Sequence, residues 1–269
     1  MDIDLKYEKL KEIIGGLERV IVAYSGGADS TLLLKASIDV LGRGNVLAVV
    51  ASSPICPVQD IHDAEKTAKD IGAECVVTET SQLNNYNFIK NSIDRCYYCK
   101  QIIINELINI GNNKGISNIT EGSHHDDMSD LRPGSKACRE KGVISPLRMA
   151  ELTKKEIREL SRVLGLHTAD RPSDTCLATR IPYGTPINRA LLERVGRSER
   201  FIKDLGVRQA RVRCHGNIAR IEVAENELEK IMENRDNVAE ALREYGFMYI
   251  ALDLEGYRSG SMNEAAHSS

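Results

Sequence analysis

Short apolar runs alternate with amphipathic stretches over the first 165 residues of the chain. The runs are typical of strands buried on both faces of a parallel sheet, and they span residues 19–24, 45–51, 75–78, 116–120 and 143–145. The stretches between them repeat their apolar positions with helical spacing, and they span residues 29–41, 58–71, 98–110 and 153–164. The last stretch opens with a capping box, Thr153-x-x-Glu156. This order predicts an α/β fold with a doubly wound parallel sheet.

The pattern changes after the loop at 165–172. A helix at 188–205, strands at 210–214 and 219–223 around a His215-Gly216-Asn217 turn, a helix at 226–245 and a strand at 248–254 follow. This order predicts a smaller α+β domain. We therefore expect an N-terminal domain over 1–167 and a C-terminal domain over 168–269.

Composition indicates a soluble globular protein. Apolar residues make up 42% of the 269 residues and charged residues 28%, and no run approaches the ~18 apolar residues of a membrane span. The charged, helix-patterned N-terminus lacks the features of a secretory signal. We therefore expect a cytoplasmic location, no membrane association and seven reduced cysteines.

Charge is spread unevenly along the C-terminal part of the chain. Residues 176–220 carry ten Lys or Arg against three Asp or Glu, a local charge of +7. Residues 221–256 carry ten Asp or Glu against three Lys or Arg, a local charge of -7. The contrast suggests an anion site built into the fold rather than a surface that coats nucleic acid. Two solvated faces of opposite charge would give the same pattern.

A glycine turn lies between the first predicted strand and its helix. Residues 25–30 read Ser-Gly-Gly-Ala-Asp-Ser, where glycines let the backbone approach a phosphate and the helix N-terminus supplies positive potential. The turn matches neither a Walker A loop nor GxGxxG, and it resembles the SGGxDS loop of the ATP pyrophosphatase (PP-loop) superfamily, with Ala28 where valine is common. The resemblance implies cleavage of ATP to AMP and pyrophosphate, with Asp29 organising magnesium.

A second polar segment follows the strand at 116–120. It contains Gly122, Asp127 and Arg132, at the end of the strand where doubly wound folds place ligand loops. Its acids could hold magnesium and Arg132 could contact phosphate, although a surface turn would look similar. His124 and His125 are interpreted as bystanders.

Three cysteines stand out. Cys96 and Cys99 are spaced to share one face of a helical turn, but a structural zinc site needs a second pair, and a thioredoxin-like pair has a different strand context. Cys176 lies between Arg171 and Arg180 on a polar loop, which favours its thiolate. Three thiolates suit an iron–sulfur cluster with one open iron. Of the other cysteines, Cys75 and Cys138 are expected to be core residues, while Cys56 and Cys214 stay undecided.

Nearly the whole chain resembles the LarE family of ATP-dependent sulfur transferases, which act in nickel-pincer cofactor biosynthesis. The resemblance lies in the glycine turn, the Asp-Asp…Arg-Pro-Gly loop, residues 172–180 around Cys176, and residues 211–223. It implies that a carboxylate of a pyridinium mononucleotide is adenylated and that sulfur then displaces AMP. Cys176 and Asp29 are then the catalytic residues.

The resemblance also implies a set of binding residues. ATP contacts are expected at Ala23, Ser25, Gly26, Gly27, Asp29, Ser30, Ser52, Gly122, Asp127 and Arg132. Substrate contacts are expected at Arg180, Glu199, Arg211, Arg213, Glu222 and Arg258, with Arg211 and Arg213 on the phosphate because guanidinium groups bind it bidentately. An exposed strand face would also explain the alternation of Arg211 and Arg213.

The family has two versions of the sulfur chemistry. In one, a lone cysteine gives up its own sulfur, and in the other three cysteines carry a [4Fe-4S] cluster that binds extra sulfide. Cys96 and Cys99 place this sequence in the second group. The expected cofactors and partners are therefore the cluster, ATP, Mg²⁺, a small-molecule nucleotide, and sulfide or a sulfur donor protein, without nucleic acid and in a homo-oligomer, expected to be a hexamer.

Two other function classes fit parts of the sequence. A tRNA thiolation enzyme of the PP-loop superfamily would share the loop and the three cysteines, but it needs an extended basic surface, and here the basic stretch is short and has few aromatics. A non-enzymatic nucleotide or redox sensor would leave the clustered arginines without a purpose.

Overall fold

The structure is a computed structural model that describes residues 2–129, 133–172, 175–258 and 260–262. The chain forms two compact units. The first comprises Met1–Gln82 with Asp94–Asp174, and the second comprises Leu83–Ile93 with Thr175–Ser269. The segment Leu83–Ile93 thus belongs to the second unit, although it lies inside the expected range 1–167.

Helices outnumber strands in the described part of the chain. The strands are β1 (Val20–Ala23), β2 (Val46–Ser52), β3 (Glu74–Glu79), β4 (Asn118–Thr120), β5 (Ala210–His215), β6 (Ile218–Val223) and β7 (Tyr249–Leu252). The helices are α1 (Ile3–Gly15), α2 (Ala28–Leu41), α3 (Val58–Asp70), α4 (Tyr86–Ile89), α5 (Arg95–Lys114), α6 (Pro133–Glu140), α7 (Pro146–Met149), α8 (Lys154–Val163), α9 (Arg189–Asp204), α10 (Leu228–Glu233) and α11 (Arg235–Glu244). None of these helices is long and apolar enough to span a membrane.

The sheet of the first unit is parallel, in the order β3-β2-β1-β4. Val20 and Val22 on β1 pack into a core that includes residues of α1, α2, α3 and α8, whereas Ile21 packs into a second core with residues of α5 and α6. Helices therefore cover both faces, which explains why the strand sequences are almost continuously apolar. The doubly wound α/β prediction is confirmed.

The predicted strand at 143–145 is wrong. Only an isolated parallel bridge joins Thr120 to Ile144. Pro146 follows at once and begins α7. Proline has no N–H for a sheet hydrogen bond and readily starts a helix, so the extended segment ends after one pairing.

The capping box that opens α8 is confirmed. The Thr153 hydroxyl accepts a hydrogen bond from the Glu156 backbone, and the Glu156 carboxylate accepts one from the Thr153 backbone. Burial opposes ionisation of Glu156, but hydrogen bonds from Lys6 and Thr153 prevail and bring its pKa from 4.5 to about 2. Glu156 therefore ties the start of α8 to α1 through an ion pair of 2.8 Å with Lys6.

The second unit contains a three-stranded sheet in the order β5-β6-β7. The pair β5–β6 is antiparallel and the pair β6–β7 is parallel. The single helix predicted over 226–245 is wrong, because α10 and α11 are separated at Asn234. The Asn234 side chain donates to the Lys230 carbonyl at 2.9 Å, which competes with the continuing helix.

Candidate active site

The turn between β1 and α2 has the geometry of a phosphate loop. Gly26 has φ +72°, and a Cβ there would lie 2.8 Å from the Cβ of Ala64 in α3. Glycine is thus required both by the backbone conformation and by the approach of α3. Gly27 caps α2 without a side-chain hydrogen bond, and the first N–H groups of a helix have no partners inside it. The loop can therefore present amide N–H groups to an anion.

The two serines of the loop are joined by hydrogen bonds. Ser25 Oγ lies 3.2 Å from Ser30 Oγ, and Ser30 Oγ donates to the Gly27 carbonyl at 3.2 Å. Beneath them, Tyr24 OH lies 3.2 Å from the Thr31 hydroxyl, and burial raises the pKa of Tyr24 to about 12. The phenol therefore stays protonated and supports the loop from the core.

The carboxyl ends of three strands lie at this edge of the sheet. Ala23 ends β1, Ser52 ends β2, and the chain leaving β4 passes Gly122. A Cβ on Gly122 would lie 3.1 Å from the Ser30 amide nitrogen, so the β4 loop runs against the start of α2. The structure thus brings Ala23 and Gly122 to the phosphate loop, at the point where the sheet order reverses and ligands bind in such folds.

Asp29 forms an ion pair that the sequence did not reveal. The Lys154 ammonium lies 2.6 Å from both carboxylate oxygens of Asp29. Lys154 is the first residue of α8, and its backbone N–H donates to Asp126 at 2.8 Å. A lysine ammonium therefore lies at the phosphate loop, where it can also interact with a bound phosphate. The capping box marks where α8 begins but carries no signal for this pairing.

The loop after β4 is held by its own backbone. Asp127 is buried and accepts a hydrogen bond from the His124 N–H at 3.0 Å. His124 Nε2 lies 3.7 Å from the same carboxylate. Arg132, expected at phosphate, lies outside the described residues.

The first residue of this loop, Glu121, is a buried carboxylate. Glu121 accepts hydrogen bonds from Ser123 and Ser145, and its Oε2 lies 3.7 Å from the Lys100 ammonium. Burial alone lowers the pKa of Lys100, but Glu121, Cys138 and Cys99 outweigh it and raise the pKa. Lys100 thus stays cationic in the same turn of α5 as Cys99.

Cys96 and Cys99 lie one turn apart at the start of α5. Cys96 is exposed, and Cys99 is half-buried with its Sγ 3.8 Å from Gln82 Nε2. Both belong to the first unit, whereas Cys176 belongs to the second. Across the parts of the chain that the structure describes, no three His, Cys, Asp or Glu side chains are gathered as a metal site.

The remaining cysteines are weaker nucleophiles or packing residues. Burial raises the pKa of Cys75 to about 11 and raises the pKa values of Cys138 and Cys214. Cys138 in α6 is buried in the core, which confirms its interpretation, whereas Cys75 in β3 is half-buried and packs against the core. Cys56 is half-buried, with its Sγ 3.9 Å from the Ala51 carbonyl.

Arg171 does not belong to the unit that contains Cys176. It lies in the first unit, where its Nη2 is 3.2 Å from Asp60 and 3.6 Å from Asp63. Its Nη1 is 3.5 Å from the Gly26 carbonyl. Arg171 therefore links α3 to the phosphate loop.

In the second unit, Arg180 contacts the Cys176 loop and Glu199. The turn Leu177–Arg180 follows Cys176 directly. Arg180 Nε and Nη2 donate to the two carboxylate oxygens of Glu199 at 2.7 and 3.0 Å, and Nη1 lies 3.1 Å from the Cys176 carbonyl. Arg180 and Glu199 are both buried.

One face of the second sheet is charged and covered. Arg211 and Arg213 on β5 pair in register with Glu222 and Arg220 on β6, so all four side chains share that face. Arg211 is only 1% exposed and Arg213 only 5%, so the alternative of an exposed strand face is wrong. Arg213 and Arg220 both bind Glu222, at 2.6 and 2.8 Å.

The C-terminal segment contributes to this face. The Arg211 guanidinium lies 5.4 Å from the centre of the Tyr257 ring, and Ser261 donates to Glu222 at 3.0 Å. Arg258 forms an ion pair of 2.7 Å with Glu255 on the surface. The face therefore combines several arginines with fewer carboxylates, as an anion site requires.

Two known proteins match almost the full chain. An uncharacterized protein of Synechocystis sp. is 38% identical over 263 residues, which are 97% of this chain and 98% of that protein. Pyridinium-3,5-bisthiocarboxylic acid mononucleotide synthase of Lactiplantibacillus plantarum is 38% identical over 248 residues, 92% of this chain and 90% of the synthase. The chain belongs to the family of this synthase, LarE.

Other matches cover less of this LarE-family chain. The sequence profile of the NAD synthase family matches residues 7–100, which include the phosphate loop. A tRNA-specific 2-thiouridylase of Nitrobacter winogradskyi is 27% identical over 210 residues, 64% of this chain and 52% of that enzyme. The tRNA thiolation enzymes are therefore the more distant relation.

Proposed function

We propose that this chain is an ATP-dependent sulfur transferase that adenylates a carboxylate of a pyridinium mononucleotide and then replaces a carboxylate oxygen by sulfur. The observation that carries the proposal is the 38% identity to the Lactiplantibacillus synthase over 92% of the chain. The phosphate loop at Gly26 supports it independently, because its backbone conformation and its contact with α3 leave no room for a side chain.

The first step is an attack on the α-phosphorus of ATP. A carboxylate oxygen of the substrate forms a bond to that phosphorus, and the bond to the bridging oxygen breaks, so pyrophosphate leaves with the electron pair. The amide N–H groups at the start of α2 stabilise the leaving pyrophosphate. The residues proposed to contact ATP are Ala23, Ser25, Gly26, Gly27, Asp29, Ser30, Ser52, Gly122, Asp127 and Arg132.

Magnesium fits the carboxylate at the loop. Asp29 follows the glycine turn directly, and carboxylate oxygens are ligands that Mg²⁺ prefers. Bound there, the ion supplies positive charge opposite the phosphates. Lys154 already holds Asp29 as an ion pair, so its ammonium is placed to neutralise phosphate charge when Asp29 takes the ion.

The charged face of the second unit is the proposed site for the nucleotide phosphate. Arg211 and Arg213 supply guanidinium groups that match phosphate geometry. Glu222 already binds Arg213 through one oxygen and so orients that side chain. Arg258 is the further arginine proposed to contact the substrate.

The second step transfers sulfur to the acyl carbon. A sulfur nucleophile forms a bond to that carbon, and the carbon–oxygen bond to AMP breaks, so AMP keeps the former carboxylate oxygen and a thiocarboxylate remains. Sulfide or a sulfur donor protein supplies the sulfur. Cys176 is the proposed sulfur-handling residue.

A [4Fe-4S] cluster on Cys96, Cys99 and Cys176 is part of the proposal. The donor chemistry fits, since Cys96 and Cys99 are cysteine thiols one helical turn apart and Lys100 lies in the same turn. When bound, such a cluster supplies an exchangeable sulfide. The homo-oligomeric, hexameric state and the cytoplasmic location are predictions that belong to the same proposal.

The cluster is tested by anaerobic reconstitution with iron and sulfide, followed by absorption and EPR spectra. The wild type should show the signature of a [4Fe-4S] cluster, and Cys96→Ala, Cys99→Ala and Cys176→Ala should each lose it. Cys75→Ala, which alters a thiol in β3, is the matched control and should keep it. A colourless wild type would contradict the cluster and leave the adenylation proposal standing.

Adenylation is tested by pyrophosphate release from ATP and Mg²⁺. Release should depend on a pyridinium mononucleotide that carries a carboxylate, and the carboxamide analogue should not support it. If tRNA supported release and the mononucleotide did not, tRNA thiolation would be the function instead.

A further inference from the structure

The backbone carbonyl of Cys176 is held by three donors. The Thr179 N–H donates to it at 3.0 Å, the Thr179 hydroxyl at 2.8 Å and Arg180 Nη1 at 3.1 Å. Arg180 Nη1 also lies 2.9 Å from the Thr175 carbonyl and 2.7 Å from its hydroxyl. The residues on both sides of Cys176 are therefore tied to one guanidinium group.

That guanidinium is anchored in the interior of the second unit. Arg180 is 1% exposed, and its Nε and Nη2 bind Glu199, which lies on α9. Glu199 Oε1 also accepts the Val212 N–H of β5 at 2.9 Å. The Cys176 loop is thus connected through Arg180 and Glu199 to a helix and a strand of the core.

Both oxygens of Glu199 occupy the Nε–Nη2 edge of the Arg180 guanidinium, and the Thr175 and Cys176 carbonyls occupy Nη1 of the other edge. A substrate phosphate could therefore bind Arg180 bidentately only by displacing these partners. Releasing Glu199 would leave a buried carboxylate without its partner, which is strongly unfavourable. We infer that Arg180 and Glu199 position Cys176 and do not contact the substrate. This inference rests on the proposed function, because it gives these two residues their role through the sulfur-handling cysteine.

The sharpest test removes the bridging hydroxyl and leaves the buried pair intact. Thr179→Val deletes the bond to the Cys176 carbonyl and an acceptor that lies 2.7 Å from Arg180 Nη1. Hydrogen exchange in the peptide over 175–181 should become roughly fivefold faster, as expected for the loss of one hydrogen bond. Exchange in β5 should not change. Thr185→Val is the matched control in the same segment, since Thr185 is bound to Asn91 through its backbone carbonyl.

Kinetics separate a positioning role from a substrate contact. In Thr179→Val, the KM for the mononucleotide and the rate of pyrophosphate release should stay at wild-type values. Thiocarboxylate formation should fall roughly tenfold to a hundredfold, because the sulfur is misplaced relative to the acyl carbon. Glu199→Gln, which breaks the Arg180–Glu199 ion pair itself, should lower thiocarboxylate formation further than Thr179→Val does. It should leave the KM for the mononucleotide and the rate of pyrophosphate release near wild-type values.

Each outcome bears on the inference. A raised KM with slower pyrophosphate release and unchanged exchange would overturn it in favour of a substrate contact. Unchanged exchange with unchanged kinetics would also overturn it. If Glu199→Gln does not fold, Thr179→Val still decides. If the wild type releases no pyrophosphate, the proposed function fails, and the exchange experiment tests the loop on its own.

Discussion

Replacing Gly26 by alanine should damage the phosphate loop in two ways. The residue has φ +72°, a conformation that costs an L-residue about 1–2 kcal/mol. The new Cβ would also lie 2.8 Å from the Cβ and 2.9 Å from the Cα of Ala64, and moving packed atoms to relieve such overlap costs about 1–3 kcal/mol. The combined cost is about 2–5 kcal/mol, because neither effect relieves the other.

The cost can be measured as stability and as ligand affinity. Urea unfolding of Gly26→Ala should show the first unit destabilised by this combined cost, and calorimetric titration should show ATP binding weakened at least tenfold, since the amide N–H groups no longer point at one phosphate. Gly44→Ala is the matched control, because its added Cβ meets nothing within 4 Å. The reasoning is refuted if Gly26→Ala unfolds like the control and binds ATP with wild-type affinity.

Three further predictions concern charged side chains. Lys154→Met should lower kcat/KM for ATP in pyrophosphate release roughly tenfold or more, whereas Lys155→Met, at an exposed position, should not; equal effects would contradict the role of the ammonium. The lowered pKa of Glu156, about 2, stabilises the folded state above pH 4.5 by at most about 3 kcal/mol, because solvent screens part of its ion pair with Lys6, and this stabilisation is lost as pH falls from about 4.5 to about 2. In urea unfolding, the difference in free energy of unfolding between the wild type and Glu156→Gln should fall towards zero over that pH range. A difference that does not change with pH would contradict the stabilising role of the Glu156 carboxylate. Glu222→Gln should destabilise the second unit by about 3–5 kcal/mol, because two arginines lose their charged partner, whereas the exposed Glu225→Gln should stay near wild type in thermal unfolding.

Features set by neighbouring residues could be predicted from the sequence. The apolar runs gave the four parallel strands, because strands covered on both faces need continuous apolar residues. The glycine turn and the capping box were also predictable, since each depends on residues a few positions apart. The strand at 143–145 failed because Pro146 starts a helix immediately.

Features set by distant residues could not be predicted. Lys154 and Asp29 are 125 positions apart, and nothing local to either residue indicates that they meet. The burial of Arg211 and Arg213 could not be predicted either, because the sequence pattern of alternating arginines is the same for a buried strand face and for an exposed one. Leu83–Ile93 joins the second unit through contacts such as the hydrogen bond from Asn91 to the Pro182 carbonyl. The spacing of apolar residues along the sequence does not indicate such a contact.

The most direct test of the central claim follows a labelled oxygen. A pyridinium mononucleotide with heavy oxygen in its carboxylate is incubated with the enzyme, ATP, Mg²⁺ and sulfide, and the products are weighed by mass spectrometry. Adenylation followed by sulfur transfer predicts one heavy oxygen in AMP and one sulfur in place of oxygen in the nucleotide. AMP without the label, or a thiocarboxylate formed without ATP, would contradict it.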